Sequence, residues 1–180
     1  MVKRLLIFIG LLGTTAAIHA QASPTASRVG NLQIGAGYSI ANSDYSVVGH
    51  YSGFGIYTDF DFRPHLGIEG EFHINSDHSS NQYYEKTYEI GPRYVRTYGR
   101  LMPYAKLMYG RGVFNYQFGS ANLAYNIFAI GGGADYRIKS FLNLRGDFEY
   151  QDWLGFIGPS GQAHGLNPSV LTIGAAYHFR

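Results

Sequence analysis

The chain has 180 residues, room for one domain, and its 16% aromatic and 14% charged content departs from the roughly 25% charged residues of ordinary globular proteins. It has no Cys, which excludes disulfides and thiolate metal sites, and Lys occurs only at positions 3, 86, 106 and 139, far from the lysine-rich coat of a soluble domain. Leaving out Lys3 and Arg4, 12 basic residues balance 12 acidic ones, so no long-range field for nucleic acid or anionic lipid arises.

Residues 1–22, MVKRLLIFIGLLGTTAAIHAQA, pair a basic start with an apolar run over 5–12 and then small residues. This is the pattern of a secretory signal peptide, cut after Ala20 or Ala22, and the run is too short for the ~20 residues of a helical span. The predicted mature chain is 23–180, in an extracytoplasmic space.

From there the sequence alternates with a period of two, which is the strand signature. In the first segment Leu32, Ile34, Ala36, Tyr38 and Ile40 oppose Gln33, Gly35, Gly37 and Ser39. The second sets Phe54, Ile56, Phe60 and Phe62 against Gly53, Gly55, Asp59 and Asp61; the third sets Leu66, Ile68, Phe72 and Ile74 against Gly67, Glu69, Glu71 and His73. The fourth opposes Tyr88, Ile90 and Tyr94 to Thr87, Glu89 and Arg93, and the fifth opposes Ala105, Leu107 and Tyr109 to Lys106 and Met108. In the sixth Phe128, Ile130 and Tyr136 face away from Gly131, Gly133, Asp135 and Arg137. The seventh separates Leu142, Leu144, Phe148 and Tyr150 from Asn143, Arg145, Asp147 and Glu149, and the last presents Leu171, Ile173, Ala175, Tyr177 and Phe179 together.

About eight strands of about ten residues predict an all-β fold, an antiparallel up-and-down transmembrane β-barrel of the smallest closing size. The connections at 63–65, 96–101 and 138–141 are tight, whereas 41–50, 75–82, 115–122 and 152–168 are longer and rich in Ser, Asn, Gly and His. The asymmetry predicts short turns and termini in the periplasm and long loops outside. A soluble eight-stranded barrel alternates too, with its apolar face inward. Here that arrangement would leave a bare outer surface of Gly35, Gly37, Gly53, Gly55, Gly131 and Gly133. Turned inward, the glycines leave room for a lumen network of Glu69, Glu71, Glu89, Arg93, Lys106, Asp135, Arg137, Arg145, Asp147 and Glu149, whose opposite charges can pair. Eight strands enclose a bore that side chains can just fill, so a plug is expected over a conducting pore.

The final strand places Thr172, Gly174, Tyr177 and Phe179 on the polar, Gly and aromatic positions of a resemblance: bacterial barrels end this way, in the signal read by the assembly machinery, although Arg180 adds one residue here. PYAKLMYGRG, FAIGGGADYRI and NLRGDFEYQ likewise resemble strands of the small outer-membrane β-barrel domain family, which includes the transmembrane domain of OmpA and the OmpX-type barrels. The resemblance covers about 30–179. It implies a bacterial outer-membrane location, outer-membrane lipid around the barrel, and periplasmic chaperones and the assembly machinery as partners during biogenesis; it implies no cofactor.

Two stretches could carry chemistry. His78, Ser80 and Asn81 of DHSSN resemble the H-x-S-N stretch of lipid A deacylases, barrels that use Ser, His and a carboxylate, but the third member would have to come from Glu85 or Glu89 at unmatched spacing. His73, Asp77 and His78, with His50 or His164, could ligate a metal, although no spacing among them is diagnostic. The final loop carries Trp153, Leu154, Phe156 and Ile157, read either as an exposed contact site or, with Trp153 and Phe156, as part of an outer aromatic belt. The expectation is therefore a structural or surface-interacting outer-membrane barrel without catalytic, cofactor or metal residues; a deacylase-like enzyme and a narrow pore are the alternatives.

Overall fold

The computed structural model describes residues 30–45, 48–78, 83–116, 121–157 and 165–179. The predicted leader and its expected cleavage site, Ser80, Asn81, His164 and Arg180 lie outside them. Eight strands run in chain order: β1 (Asn31–Tyr45), β2 (Val48–Arg63), β3 (Leu66–Ser76), β4 (Tyr84–Val95), β5 (Leu101–Asn115), β6 (Asn122–Lys139), β7 (Leu142–Leu154) and β8 (Ser169–His178). Each pairs antiparallel with the next, and β8 returns to β1 from Gln33↔His178 to Asn42↔Ser169, closing the barrel without an edge.

The alternation decides which face is which. Arg93, Lys106 and Arg145 are 1–2% exposed, whereas Ile90 is 62% and Ile173 66% exposed. No water-soluble fold buries its cations and displays its isoleucines, because each apolar Å² left in water forgoes about 25 cal/mol. In hydrocarbon the same surface is satisfied, and closed pairing leaves no lipid-facing strand edge.

Two features depart from the sequence reading or shape its surface. The stretch 41–50 is not a long loop: β1 continues to Tyr45 and β2 resumes at Val48. The alternation persists there because Ala41, Tyr45 and Tyr51 point into an apolar cluster that makes extension worthwhile. The β4–β5 ladder stops at Ile90↔Tyr109 and resumes at Arg93↔Lys106, because Pro92 has no N–H to donate. Beside it, a Cβ on Gly91 would stand 1.8 Å from the Leu107 carbonyl oxygen, so only Gly fits.

Candidate functional site

The lumen is built in two storeys. The inward positions of β2, β3, β4, β5, β6 and β7 nearer the short turns carry ions. Arg93 on β4 lies 2.8 Å from Asp59, 3.3 Å from Glu69 and 2.5 Å from Asp135. Arg145 on β7 donates from Nε to Asp135 at 2.8 Å and also pairs with Asp59. Their guanidinium planes stack over Tyr104 at 4.2 Å and Tyr57 at 3.9 Å. Gln33 donates to Asp59 and, at 3.1 Å, to Asp135, while Asn143 donates to Gln33 at 2.9 Å. Just above, the Lys106 ammonium is caged by Glu71 at 2.6 Å, Asp147 at 2.9 Å, and Glu69 and Glu149 at 3.2 Å each. The Tyr104 hydroxyl donates to Asp147. Gly131 makes the cage possible, because a Cβ there would stand 2.9 Å from Lys106 Cε.

Toward the long loops the inward residues turn apolar. Tyr45, Tyr83, Phe114, Tyr125, Trp153 and Phe156 form one buried cluster with Ile127, Leu166 and Val170. Phe114 meets Tyr45 at 5.0 Å and Phe156 at 5.1 Å between ring centroids, and Tyr125 meets Phe156 at 5.0 Å. The Trp153 ring lies across Gly112, where a Cβ would come within 2.6 Å of it. Its indole N–H donates to Gln151 at 2.8 Å, and Gln151 donates to Glu89 and Glu149, so one side chain links the aromatic storey to the ionic one. Burial, and then the Tyr125 hydroxyl at 3.2 Å, raise the Tyr116 hydroxyl above its ordinary pKa.

Most of the sequence-selected lumen residues converge, but not all of them pair. Arg137 stands at the rim, donating to the Met102 sulfur at 3.3 Å, away from the ion-paired cluster, because β6 ends two residues later. Glu89 faces the bore and is bonded by Gln151 rather than by a cation. Sequence reading did not single out Asp59, Gln33, Tyr57 or Tyr104 for the network, although each shares the inward parity of its strand.

Trp153 and Phe156 overturn the belt reading of the final loop and drop out of the contact reading. They are 0% and 2% exposed, so they form neither an outer belt nor a contact patch; Leu154 and Ile157 are the exposed pair. Trp153 has the same parity as Glu149 and Gln151, and that signal was present in the sequence. Trp153 is the single Trp, so its fluorescence tests the placement. Iodide is expected to leave emission from the folded barrel nearly unchanged and to quench it after unfolding in urea; equal quenching in both states would place the indole outside the plug.

The two chemical candidates are split by the barrel wall. His78 Nδ1 lies 3.0 Å from the Ser76 carbonyl oxygen and 3.5 Å from the hydroxyls of Ser52 and Ser76, all at the outer edge of the sheet. Glu85 and Glu89, the carboxylates proposed to complete a triad, are buried in the lumen on the opposite face. His73 is also inside, 3.4 Å from Thr172, so it cannot share a metal with His78. Among the described residues the convergent carboxylates are Glu69, Glu71 and Asp147, and Lys106 fills the space between them.

In the closing strand, Thr172 points inward, while Tyr177 and Phe179 lie outside with ring centroids 5.0 Å apart. Gly174 faces Gly37 across the closing seam, where a Cβ would come 2.4 Å from the Ala36 carbonyl oxygen. Its lack of a side chain thus has a reason in barrel closure itself.

Comparison with known proteins agrees with this architecture. Ail, the attachment invasion locus protein of Yersinia pestis, is 18% identical with a TM-score of 0.58, covering 84% of this chain and 100% of Ail. Neisserial surface protein A is 14% identical with a TM-score of 0.65, covering 84% and 98%. The outer membrane protein OprG from Pseudomonas aeruginosa is 15% identical with a TM-score of 0.63, covering 85% and 97%. No curated protein sequence matches the chain. The profile of the outer membrane protein beta-barrel domain matches residues 8–179, and the chain belongs to that family.

Proposed function

We propose that this protein is a closed outer-membrane scaffold with a structural or surface-interaction role, whose interior is filled rather than open and which catalyses no reaction. The observation that carries the reading is the pairing of the Lys106 cage with the Trp153–Phe114–Phe156 cap, which fill successive levels of one bore. A pore lined by charges needs water around them, and these side chains are buried against one another. In planar bilayers the purified barrel is expected to give no steady conductance; large and lasting open events would overturn the filled lumen.

The short turns then face the periplasm, and the chain arrives there by the leader at 1–22. Thr172, Gly174, Tyr177 and Phe179 serve as the assembly signal for the barrel machinery and its chaperones. The long-loop end is the part available for contact, with Leu154 and Ile157 exposed beside the plug. The description of Ail as an attachment invasion locus protein supports an adhesive use of that end. Cells displaying the barrel with a shortened β7–β8 loop are expected to lose adhesion to a coated surface while the barrel still assembles; unchanged adhesion would remove the contact role.

A further inference from the structure

We propose that the lipid-facing side of β4 and β5 holds one phospholipid at the short-turn end, its phosphate on Arg96 and one acyl chain in the groove beside Tyr94. The proposal rests on the membrane-spanning reading above, and not on whether the bore conducts.

The groove follows from the outward residues. Ala105 stands beside Gly132 and Pro103 beside Ala134, so the wall is shallow there, while Tyr94, Leu107 and Ile130 rise around it. The interrupted ladder at Pro92 adds to the depression. Two adjoining cavities of about 330 and 230 Å³ share Tyr94 and Ala105; the first is apolar, and the second opens between Tyr94, Arg96 and Tyr98. From Leu107 to Leu101 the strand covers about 20 Å at ~3.3 Å per residue. Tilted by ~40°, it spans about 15 Å of depth, half of a ~30 Å hydrocarbon core, which is the length of one acyl chain in one leaflet.

The headgroup end is cationic. Arg96 Nε donates to the Tyr94 hydroxyl at 2.9 Å, which orients the guanidinium, and the Arg96 backbone N–H donates to the Pro103 carbonyl at 2.9 Å, which fixes the main chain beneath it. The guanidinium also bonds Tyr98, and its remaining N–H groups, exposed, are free to bind a phosphate. The neighbouring turn runs through Gly99 at φ 62° and carries exposed Arg100. Among the described residues every carboxylate in an ion pair belongs to the barrel interior or its rim, and none of these pairs involves Arg96 or Arg100. A second copy docked through this face would set the same cations against each other, whereas a phosphate-bearing lipid complements both charge and groove.

The test is native mass spectrometry of the detergent-purified barrel titrated with phosphatidylglycerol, phosphatidylethanolamine or diacylglycerol of matched chains. One phospholipid is expected to be retained per barrel. Arg96→Gln should weaken retention of both phospholipids about tenfold, the scale of losing a hydrogen bond to a charged group. Ala105→Phe, which fills the groove floor, should do the same, while Arg63→Gln on another turn should not. Diacylglycerol should be held no better than phospholipid is by Arg96→Gln, and millimolar inorganic phosphate should fail to displace the lipid. Equal retention by Arg96→Gln and wild type, or of diacylglycerol and phospholipid, would overturn the site, as would full displacement by phosphate. A folded-form band shift in cold detergent gels checks each variant; if Ala105→Phe fails it, Ala105→Leu replaces it. Loss of that shift in the wild type would instead strike the barrel reading itself.

Discussion

Lys106→Met is expected to lower the stability of the folded barrel by about 3–5 kcal/mol at neutral pH, the cost of leaving buried partners without their counter-charge. Four carboxylates approach this one ammonium within 3.2 Å, and eight buried carboxyl side chains face only three buried cations among the described residues. The imbalance gives the prediction its direction. Glu71→Gln removes one of several competing acceptors and is expected to cost much less, because Lys106 keeps Asp147, Glu69 and Glu149. Methionine preserves the apolar length of the lysine stem, so the loss reports charge rather than volume. The deficit should shrink as the solution is acidified, because a protonated carboxyl no longer needs a cation. Urea unfolding of the barrel in lipid vesicles at several pH values measures all three expectations. If Lys106→Met and Glu71→Gln cost the same, the cage does not depend on its cation.

Trp153→Ala is expected to cost about 3–5 kcal/mol, the range for truncating a large buried aromatic. The indole is fully buried, lies across Gly112 and bonds Gln151. Its removal opens a void at the level where Tyr125 and Phe156 pack, and leaves Gln151 to hold Glu89 and Glu149 without its acceptor oxygen engaged. Trp153→Phe should recover most of the packing but not the hydrogen bond, leaving a deficit of about 1 kcal/mol. Because these variants lack the single Trp, the gel mobility of folded against unfolded barrel across a urea series is the measurement. A deficit below about 1 kcal/mol for Trp153→Ala would mean that the cap contributes little to holding the barrel closed.

The physical split between the two storeys explains what could be read early. Inward parity is a local property: once Glu149 and Gln151 are placed in the bore, Trp153 must follow two residues later. Aromatic residues in a Gly-rich loop suggest a membrane belt, a compositional cue that runs against the alternation. In β1 a different cue competes: Ser43 and Asp44 are residues of loops, although Ala41 and Tyr45 keep the inward beat.

The amino-acid sequence by itself determined the strand number, the antiparallel order and the face of the side chains within the strands, because a period of two assigns strand residues to lipid or lumen using only their neighbours in the chain; Phe156, beyond the end of β7, is buried against that beat. It also determined the chain's family through its patterned strands. Tertiary structure alone decided which inward groups meet: Lys106 on β5 reaches Glu69 on β3 and Asp147 on β7, strands with which β5 shares no ladder. It decided too that Arg137 stops at the rim and that His73 and His78 stand on opposite sides of one wall. Those outcomes depend on register and on the curvature of the closed sheet, which bring together residues dozens of positions apart and leave no trace in local alternation.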